Sequence, residues 1–124
     1  MIKIELPWPD SDLSPNSRVH WAVKAKAARK AREDGAWCTH KAMMDLSISV
    51  DDFFVENCEK ATLTFHPPIR RKRDDDNAIA SMKSYLDGVC DKLGFDDSRL
   101  QLQRPIWGEV VKGGKVVLTL EAIE

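Results

Sequence analysis

The sequence predicts a single α/β domain of the α+β kind, in which a mixed β-sheet carries two main helices in the order β-α-β-α-β-β. Three observations indicate this class. Short alternations of apolar and polar residues, typical of strands, occur near both ends of the chain. Two longer segments are rich in helix-forming residues, and one of them carries a regular apolar stripe. No repeat or low-complexity segment suggests a second unit, so residues 1–124 are expected to form one domain.

The first half begins with a predicted strand and a long helix. The strand follows from three apolar residues that alternate with charged ones: Ile2, Ile4 and Leu6. The segment Pro7-Trp8-Pro9 should end it. Residues from about 20 to 45 are rich in Ala, Lys, Arg and Met, which favours one helix, with a disturbance at Gly35.

The middle of the chain predicts a connection, a strand and the second helix. Residues 47–58 are expected to be irregular, and residues 62–65 are β-prone up to the prolines that follow. The helix is predicted from apolar residues at spacings of three and four: Ile79, Met82, Leu86, Val89, Cys90 and Leu93. Asp76 or Asn77 suits its N-cap, and Gly94 suits the position just after its end.

Two strands are predicted to close the chain, at about residues 100–111 and 115–123. The pair Gly113-Gly114 between them suits a two-residue hairpin turn, because glycine readily adopts the positive φ angles of such turns. We therefore expect these strands to pair with each other.

Composition and cysteine content predict the cellular compartment of the protein. No apolar run approaches the roughly 20 residues needed to span a bilayer, and the N-terminus lacks the apolar segment of a signal peptide, so we expect a cytoplasmic protein without membrane contact. The three cysteines, Cys38, Cys58 and Cys90, have no metal-ligand spacing and suit a reducing compartment as plain thiols. No pattern indicates an organic cofactor.

Charge is segregated along the chain although the net charge is only −1. Six Lys or Arg residues and no acid lie between Arg18 and Arg32, and residues 70–73 add four more. Acids concentrate at residues 74–76 and 87–97. Because phosphate contacts are local, such separation matters more for nucleic-acid binding than the total charge.

The acidic cluster next to the basic run is the candidate for chemistry. Asp74 and Asp76 lie two residues apart just before the second predicted helix, and Asp76, Lys83 and Asp87 fall close to one line along it. Asp96 and Asp97 follow that helix in a turn and approach the first pair only if the chain folds back. Carboxylates are the ligands that Mg²⁺ prefers, and the adjoining cations suggest a polyanionic substrate.

A solvated cap that stabilises the helix N-terminus is the structural alternative for the same cluster. A calcium loop is disfavoured, because Ala78 stands where the next oxygen ligand should be. An aspartyl-phosphate enzyme is disfavoured because Asp74 follows a basic run rather than an apolar strand.

Motifs in this order resemble those of the RusA family of Holliday junction resolvases. The likeness covers most of the chain and rests on five segments, in chain order: Leu6-Pro7-Trp8-Pro9, Arg73-Asp74-Asp75-Asp76-Asn77, Leu86-Asp87-Gly88, Gly94-Phe95-Asp96-Asp97-Ser98 and Lys112-Gly113-Gly114. The resemblance implies a small homodimeric endonuclease that depends on Mg²⁺, with Mn²⁺ as an alternative ion, and that binds four-way DNA junctions and nicks two strands symmetrically.

The same resemblance implies roles for individual residues. Asp74, Asp76 and Asp97 match the metal-binding aspartates. Asn77 matches a residue that supports these ligands without binding the metal, and we assign Asp87 and Asp96 the same supporting role. The family carries a functional lysine four residues after the second aspartate, where this chain has Ala80. We assign that catalytic role to Lys83, because an insertion of nearly one helical turn returns it to the same face.

The predicted DNA contacts are the basic residues beside the acidic cluster and on the first helix: Arg70, Arg71, Lys72, Arg73, Lys24, Lys26, Arg29 and Lys30. The alternative for the helix is a solubilising surface. The tryptophans Trp8, Trp21, Trp37 and Trp107 are expected in the core or at a dimer interface, with stacking of one on an unpaired base as the alternative.

We therefore expect an endonuclease that resolves junctions in DNA recombination and repair. The family resemblance also suggests a prophage or phage role. The alternatives are a non-catalytic DNA-binding dimer of the same fold and a metal-dependent nuclease that acts on other branched DNA. Three carboxylates near phosphate bring no advantage to a pure binder, which argues against the first of these.

Overall fold

The computed structural model describes residues 2–45, 59–94 and 96–122. Its helices are α1 (Trp21–Asp45), α2 (Asp75–Ser81) and α3 (Lys83–Leu93). Its strands are β1 (Ile2–Pro7), β2 (Glu59–His66), β3 (Leu100–Leu102), β4 (Ile106–Trp107) and β5 (Lys115–Ala122). Short 3-10 helices span Ser11–Leu13 and Asp97–Arg99. The predicted α+β class is confirmed, and the described residues contain one more helix and one more strand than expected.

The strands form one mixed sheet in the order β1-β5-β2-β3, with β4 also paired to β2. β5 is antiparallel to both β1 and β2, whereas β3 and β4 run parallel to β2 along its other edge. Ile4, Leu118 and Leu63 lie in register across three strands and are buried, while Lys3 on the opposite face is exposed. The alternation predicted for β1 is therefore confirmed.

Glycines allow α1 and α3 to pack closely. A Cβ atom at Gly88 would lie 1.9 Å from the carbonyl oxygen of Arg32, and one at Gly35 would lie 2.1 Å from the carbonyl oxygen of Tyr85. The predicted disturbance of the first helix at Gly35 is wrong, because α1 is continuous and this glycine serves the contact between the helices. Arg32 also pairs with Asp91 of α3, with Nη2 of the arginine 2.8 Å from Oδ1 of the aspartate.

The second predicted helix is divided at Met82, which follows the last residue of α2 and precedes the first residue of α3. The hydroxyl of Ser81 donates to the carbonyl oxygen of Asn77 at 2.9 Å, a side-chain bond that bends helices. The predicted N-cap at Asp76 or Asn77 is wrong, because Asp74 is extended and caps the helix. Gly94 has φ of 80° after α3, as the sequence predicts.

The predicted terminal hairpin is wrong. The segment 100–111 forms only β3 and β4, separated by residues 103–105. Pro105 lies in this gap, and proline cannot donate a backbone hydrogen bond to a sheet. Both short strands pair with β2, since the two edges of β5 are already occupied by β1 and β2.

Several predictions lie outside the described residues, namely the irregular connection 47–58, Cys58 and the end of the last strand at Ile123. Within the described ranges, no helix combines the length and apolar character required to cross a bilayer.

Candidate nuclease site

The N-terminus of α2 holds the first part of the site. Oδ1 of Asp74 accepts hydrogen bonds from the backbone N–H groups of Asp76 (2.8 Å) and Asn77 (3.3 Å). Its other carboxylate oxygen takes no part in this cap. Asp74 and Asp76 are exposed, while Asn77 is half-buried. Acidic groups are stable here because the helix N-terminus carries a partial positive charge.

A hydrogen bond ties this helix end to the sheet. The indole Nε1–H of Trp107 in β4 donates to Oδ1 of Asp75 at 2.7 Å. The Trp107 ring stacks on Phe65 of β2 with centroids 4.9 Å apart, and these residues are paired in the sheet. The sheet therefore fixes the height and rotation of the helix turn that presents Asp74 and Asp76.

A cavity of about 810 Å³ opens beside Asp74. Its lining combines aromatic rings and the basic run with polar residues that follow β1. The residues lining it include Trp8, Phe65, Trp107, Arg71, Lys72, Arg73, Asp74, Asn77, Ser14, Asn16 and Ser17. Such an opening can hold a ligand that is both aromatic and anionic.

Arg73 forms part of the cavity wall in an unusual environment. Its guanidinium carbon lies 5.0 Å from the centroid of the Trp8 ring, and Trp8 in turn meets Phe65 edge-on at 6.1 Å. Burial, with a smaller contribution from Arg71, lowers the pKa of Arg73 below its usual range. Its Nε–H is buried without a hydrogen-bond partner among the described residues.

A second, smaller groove of about 230 Å³ runs along the junction of α2 and α3. Its walls bring together Ile79, Ala80, Lys83, Leu86, Asp87, Asp97, Leu100 and Leu102. Ala80, where the family has its lysine, and Lys83 thus line the same groove as Asp97. The ammonium group of Lys83 acts to lower the pKa of this aspartate.

Asp96 and Asp97 form a pair of interacting carboxyl groups. Their shared hydrogen bond, with desolvation and the negative charges of Asp96 and Asp87, raises the pKa of Asp97 above its ordinary value. Asp96 caps the following 3-10 helix through Ser98 N–H at 3.0 Å, and this hydrogen bond lowers the pKa of Asp96. One member of the pair is therefore more readily protonated than the other.

The predicted metal ligands are not brought together in one cavity. Asp74 borders the large cavity, whereas Asp97 lines the smaller groove. Asp76 lies one turn before Ala80 on α2, hence on the face that continues into the groove of Asp97. Across the described ranges, no three His, Cys, Asp or Glu side chains are grouped closely enough to hold a metal ion. The donor chemistry suits Mg²⁺, and the three-aspartate ligand set stays a prediction.

The predicted DNA-contacting residues differ in how free they are. Arg70, Arg71 and Lys72 are exposed, and none forms an ion pair with a described residue. On α1, Lys26 and Arg29 are exposed. Two others are engaged within the protein: Lys30 pairs with Asp34 (2.9 Å), and Lys24 donates to the carbonyl oxygen of Ser14 (3.4 Å).

The roles of Asp75, Trp8 and Trp107 were not predicted from the sequence. Asp75 is half-buried and bound to Trp107, in contrast to its exposed neighbours Asp74 and Asp76. Periodicity places a half-buried side chain on a helix but does not reveal a partner 32 residues away. Trp21 and Trp37, by contrast, are 75% and 64% exposed and contact neither Arg73 nor Asp75.

Comparison with known proteins places these features in a family. An uncharacterized protein of Xylella fastidiosa is 40% identical over 124 residues, which covers 99% of this chain and 78% of that protein. The crossover junction endodeoxyribonuclease RusA of Escherichia coli K12 is 30% identical over 123 residues, covering 94% of this chain and 91% of RusA. The protein of the same name from Enterobacteria phage 82 is 29% identical. No family model matches the chain. At this identity and coverage, the chain belongs to the RusA family of crossover junction endodeoxyribonucleases.

Proposed function

We propose that this protein is a Mg²⁺-dependent endonuclease that resolves four-way DNA junctions by nicking two opposed strands as a homodimer. The observation that carries the proposal is the exposed pair Asp74 and Asp76, which directly follows the cations of residues 70–73, none of which forms an ion pair with a described residue. Carboxylates suited to binding a metal ion thus lie beside cationic side chains suited to binding phosphate, which supports the proposal. The names of the E. coli and phage relatives are consistent with this chemistry.

Asp74, Asp76 and Asp97 are the proposed holders of the ion, in agreement with their carboxylate chemistry and exposure. When bound, the ion polarises the scissile phosphodiester and makes a water molecule more acidic. Oδ2 of Asp74 faces no backbone donor of the cap, so the helix end can present it without losing the hydrogen bonds of Oδ1. Asn77, Asp87 and Asp96 are proposed to orient these ligands.

Lys83 is proposed to stabilise negative charge on the reacting phosphate from its place beside Asp97. Because Ala80 lines the same groove, a lysine at position 80 or at position 83 would extend its ammonium group into the same space. Arg70, Arg71 and Lys72 would contact the flanking phosphates, and Lys26 and Arg29 would extend the track along α1.

The proposed homodimer follows from the symmetry of the substrate. A two-fold axis relates opposed strands of a four-way junction, and a two-fold dimer would place one site on each of them. Paired nicks then require two active subunits, whereas a monomer would release singly nicked products.

The test is cleavage of a labelled synthetic four-way junction by wild type, Asp76→Asn and the exposed control Asp45→Asn. We expect wild type and Asp45→Asn to cut with Mg²⁺ or Mn²⁺ and not with chelator. The cleavage rate of Asp76→Asn should be lower by more than about 100-fold, because a metal ligand is lost. Its binding to the junction in a gel-shift assay should persist, because the basic residues are unchanged. Full activity of Asp76→Asn would refute the site assignment. Equal cleavage of flaps would instead indicate the broader branched-DNA nuclease.

A further inference from the structure

The cavity beside Asp74 contains more than an acid and a row of phosphate contacts. Its aromatic wall consists of Trp8 and Trp107, which both pack on the fully buried Phe65, and its polar wall includes Ser14 and Asn16. At about 810 Å³ it lies within the range of roughly 300–1,000 Å³ typical of small-molecule pockets. A track for phosphates alone would need neither feature.

Arg73 indicates what kind of group completes this cavity. The residue is half-buried and forms no ion pair with a described residue, although it stands next to three aspartates. Its guanidinium lies over Trp8 instead, held by a cation–π contact. A half-buried cation without a counter-anion favours an anionic ligand, and a guanidinium over an indole adds a flat surface for stacking.

The aromatic, polar and cationic residues of the cavity together match the base and the phosphate of a nucleotide. Bases stack on aromatic rings and on guanidinium planes, while their edges bind hydroxyl and amide groups. Phosphates bind the cations that rim the same opening, Arg71 and Lys72. A base inside a duplex has both faces covered by its neighbours, so only an unstacked nucleotide could use the aromatic wall.

We propose that this cavity binds one unstacked nucleotide of the DNA, adjacent to the phosphodiester at Asp74, with its base against Trp8 and Arg73. This inference rests on the proposed nuclease function and adds a nucleotide-binding pocket to it. The pocket would hold the strand in register for cleavage, and its polar wall would favour some bases over others. Asn16 is exposed at that wall and is a candidate for reading the edge of the base.

The test removes single bases from the DNA and single side chains from the protein. Affinity for a junction is measured in the cleavage-deficient Asp76→Asn background, with an abasic nucleotide moved one position at a time through the branch point. We expect one position next to the cut bond where base removal weakens binding about 10-fold, because base–aromatic stacking is lost there.

The variants Trp8→Leu and Arg73→Lys are then compared with Trp37→Leu. Trp37 lines a different cavity, with Lys3 and Lys41, and serves as the matched tryptophan control. Trp8→Leu and Arg73→Lys should bind intact DNA about 10-fold more weakly and be insensitive to the abasic position. Trp37→Leu should keep the full sensitivity. Arg73→Lys preserves charge and leaves the apolar packing in place, so it decides the matter if Trp8→Leu does not fold.

Two results would overturn the pocket. Either no abasic position weakens binding, or the variants at Trp8 and Arg73 stay as sensitive as their parent. In both cases the wild type would still cleave junctions with Mg²⁺, and only the proposed nucleotide-binding pocket would be refuted. If wild type neither binds nor cuts junctions, the proposed function fails and the pocket fails with it.

Discussion

The hydrogen bond between Trp107 and Asp75 should stabilise both the fold and the site. It joins β4 to the first turn of α2 across 32 residues, with an Nε1 to Oδ1 distance of 2.7 Å. Trp107→Phe removes the donor while keeping an aromatic ring against Phe65. Asp75→Ala removes the acceptor, and Asp75→Asn keeps a carbonyl oxygen that can still accept the hydrogen bond.

The size of the effect follows from the charge of the acceptor and from its partial burial. A hydrogen bond to a charged group contributes about 1.5–3 kcal/mol, and we expect the lower end because Asp75 is only half-buried. A free energy of unfolding lower by about 1.5 kcal/mol corresponds to a Tm lower by about 6 °C in a domain of this size.

The assay is a double-mutant cycle measured by chemical denaturation. Wild type, Trp107→Phe, Asp75→Ala and the double variant give four free energies of unfolding, from which the coupling between the two side chains is obtained. We expect a coupling of about 1.5 kcal/mol, with Asp75→Asn closer to wild type than Asp75→Ala. Junction cleavage should fall in Trp107→Phe because the helix turn that carries Asp74 loses its fixed orientation.

Losses that simply add, with a coupling below about 0.5 kcal/mol, would refute the assigned role of this hydrogen bond. The same conclusion would follow if Asp75→Asn lost as much stability as Asp75→Ala.

Three further predictions concern packing, thiol reactivity and pH. Gly88→Ala should lower the free energy of unfolding by about 3 kcal/mol, since its Cβ would meet backbone atoms of α1. Gly94→Ala should lower it by only about 1 kcal/mol, because its Cβ would lie in open space and only the φ of 80° is unfavourable. Equal losses in denaturation curves would contradict this. Burial raises the pKa of Cys90 to about 12, so iodoacetamide at pH 8 should label it more than about 100-fold more slowly in the folded than in the unfolded protein by peptide mass mapping. The pairing with Arg32 lowers the pKa of Asp91, so its stabilisation is complete above the unfolded pKa of about 3.9 and is lost as the pH falls through the lower folded value. The gap in Tm between Asp91→Asn and wild type at pH 7 should therefore narrow as the pH falls below the unfolded pKa, and a gap that stays constant down to pH 2 would argue against this pair.

Local features of the fold were predictable from the sequence. The alternation in β1, the buried stripe of α3 and the positive φ at Gly94 each depend on residues within one or two turns of each other. The adjacency of the basic run and Asp74 was also evident from the sequence, because it is a matter of chain order. Residue chemistry predicted a Mg²⁺ site facing a polyanion, and the RusA resemblance, which the comparison with E. coli RusA supports, added the junction substrate and the individual residue roles.

The predicted hairpin shows where local patterns were insufficient. The glycine pair does turn the chain, with positive φ at Gly113 and Gly114. The flanking strands nevertheless pair elsewhere, because pairing depends on which sheet edges are free. Alternation tells which face of a strand is buried and does not tell which strand lies beside it.

By itself, the sequence determined the class of the fold, the helical segments, the cores of β1, β2 and β5, and the order of charges that marks the site. Only the tertiary structure decided that Trp107 binds Asp75, that Arg73 lies over Trp8, and that Asp97 shares a groove with Lys83. The physical reason is range. Backbone preferences and periodicity act within a few residues, whereas these contacts join distant segments and form only when the sheet and helices pack together.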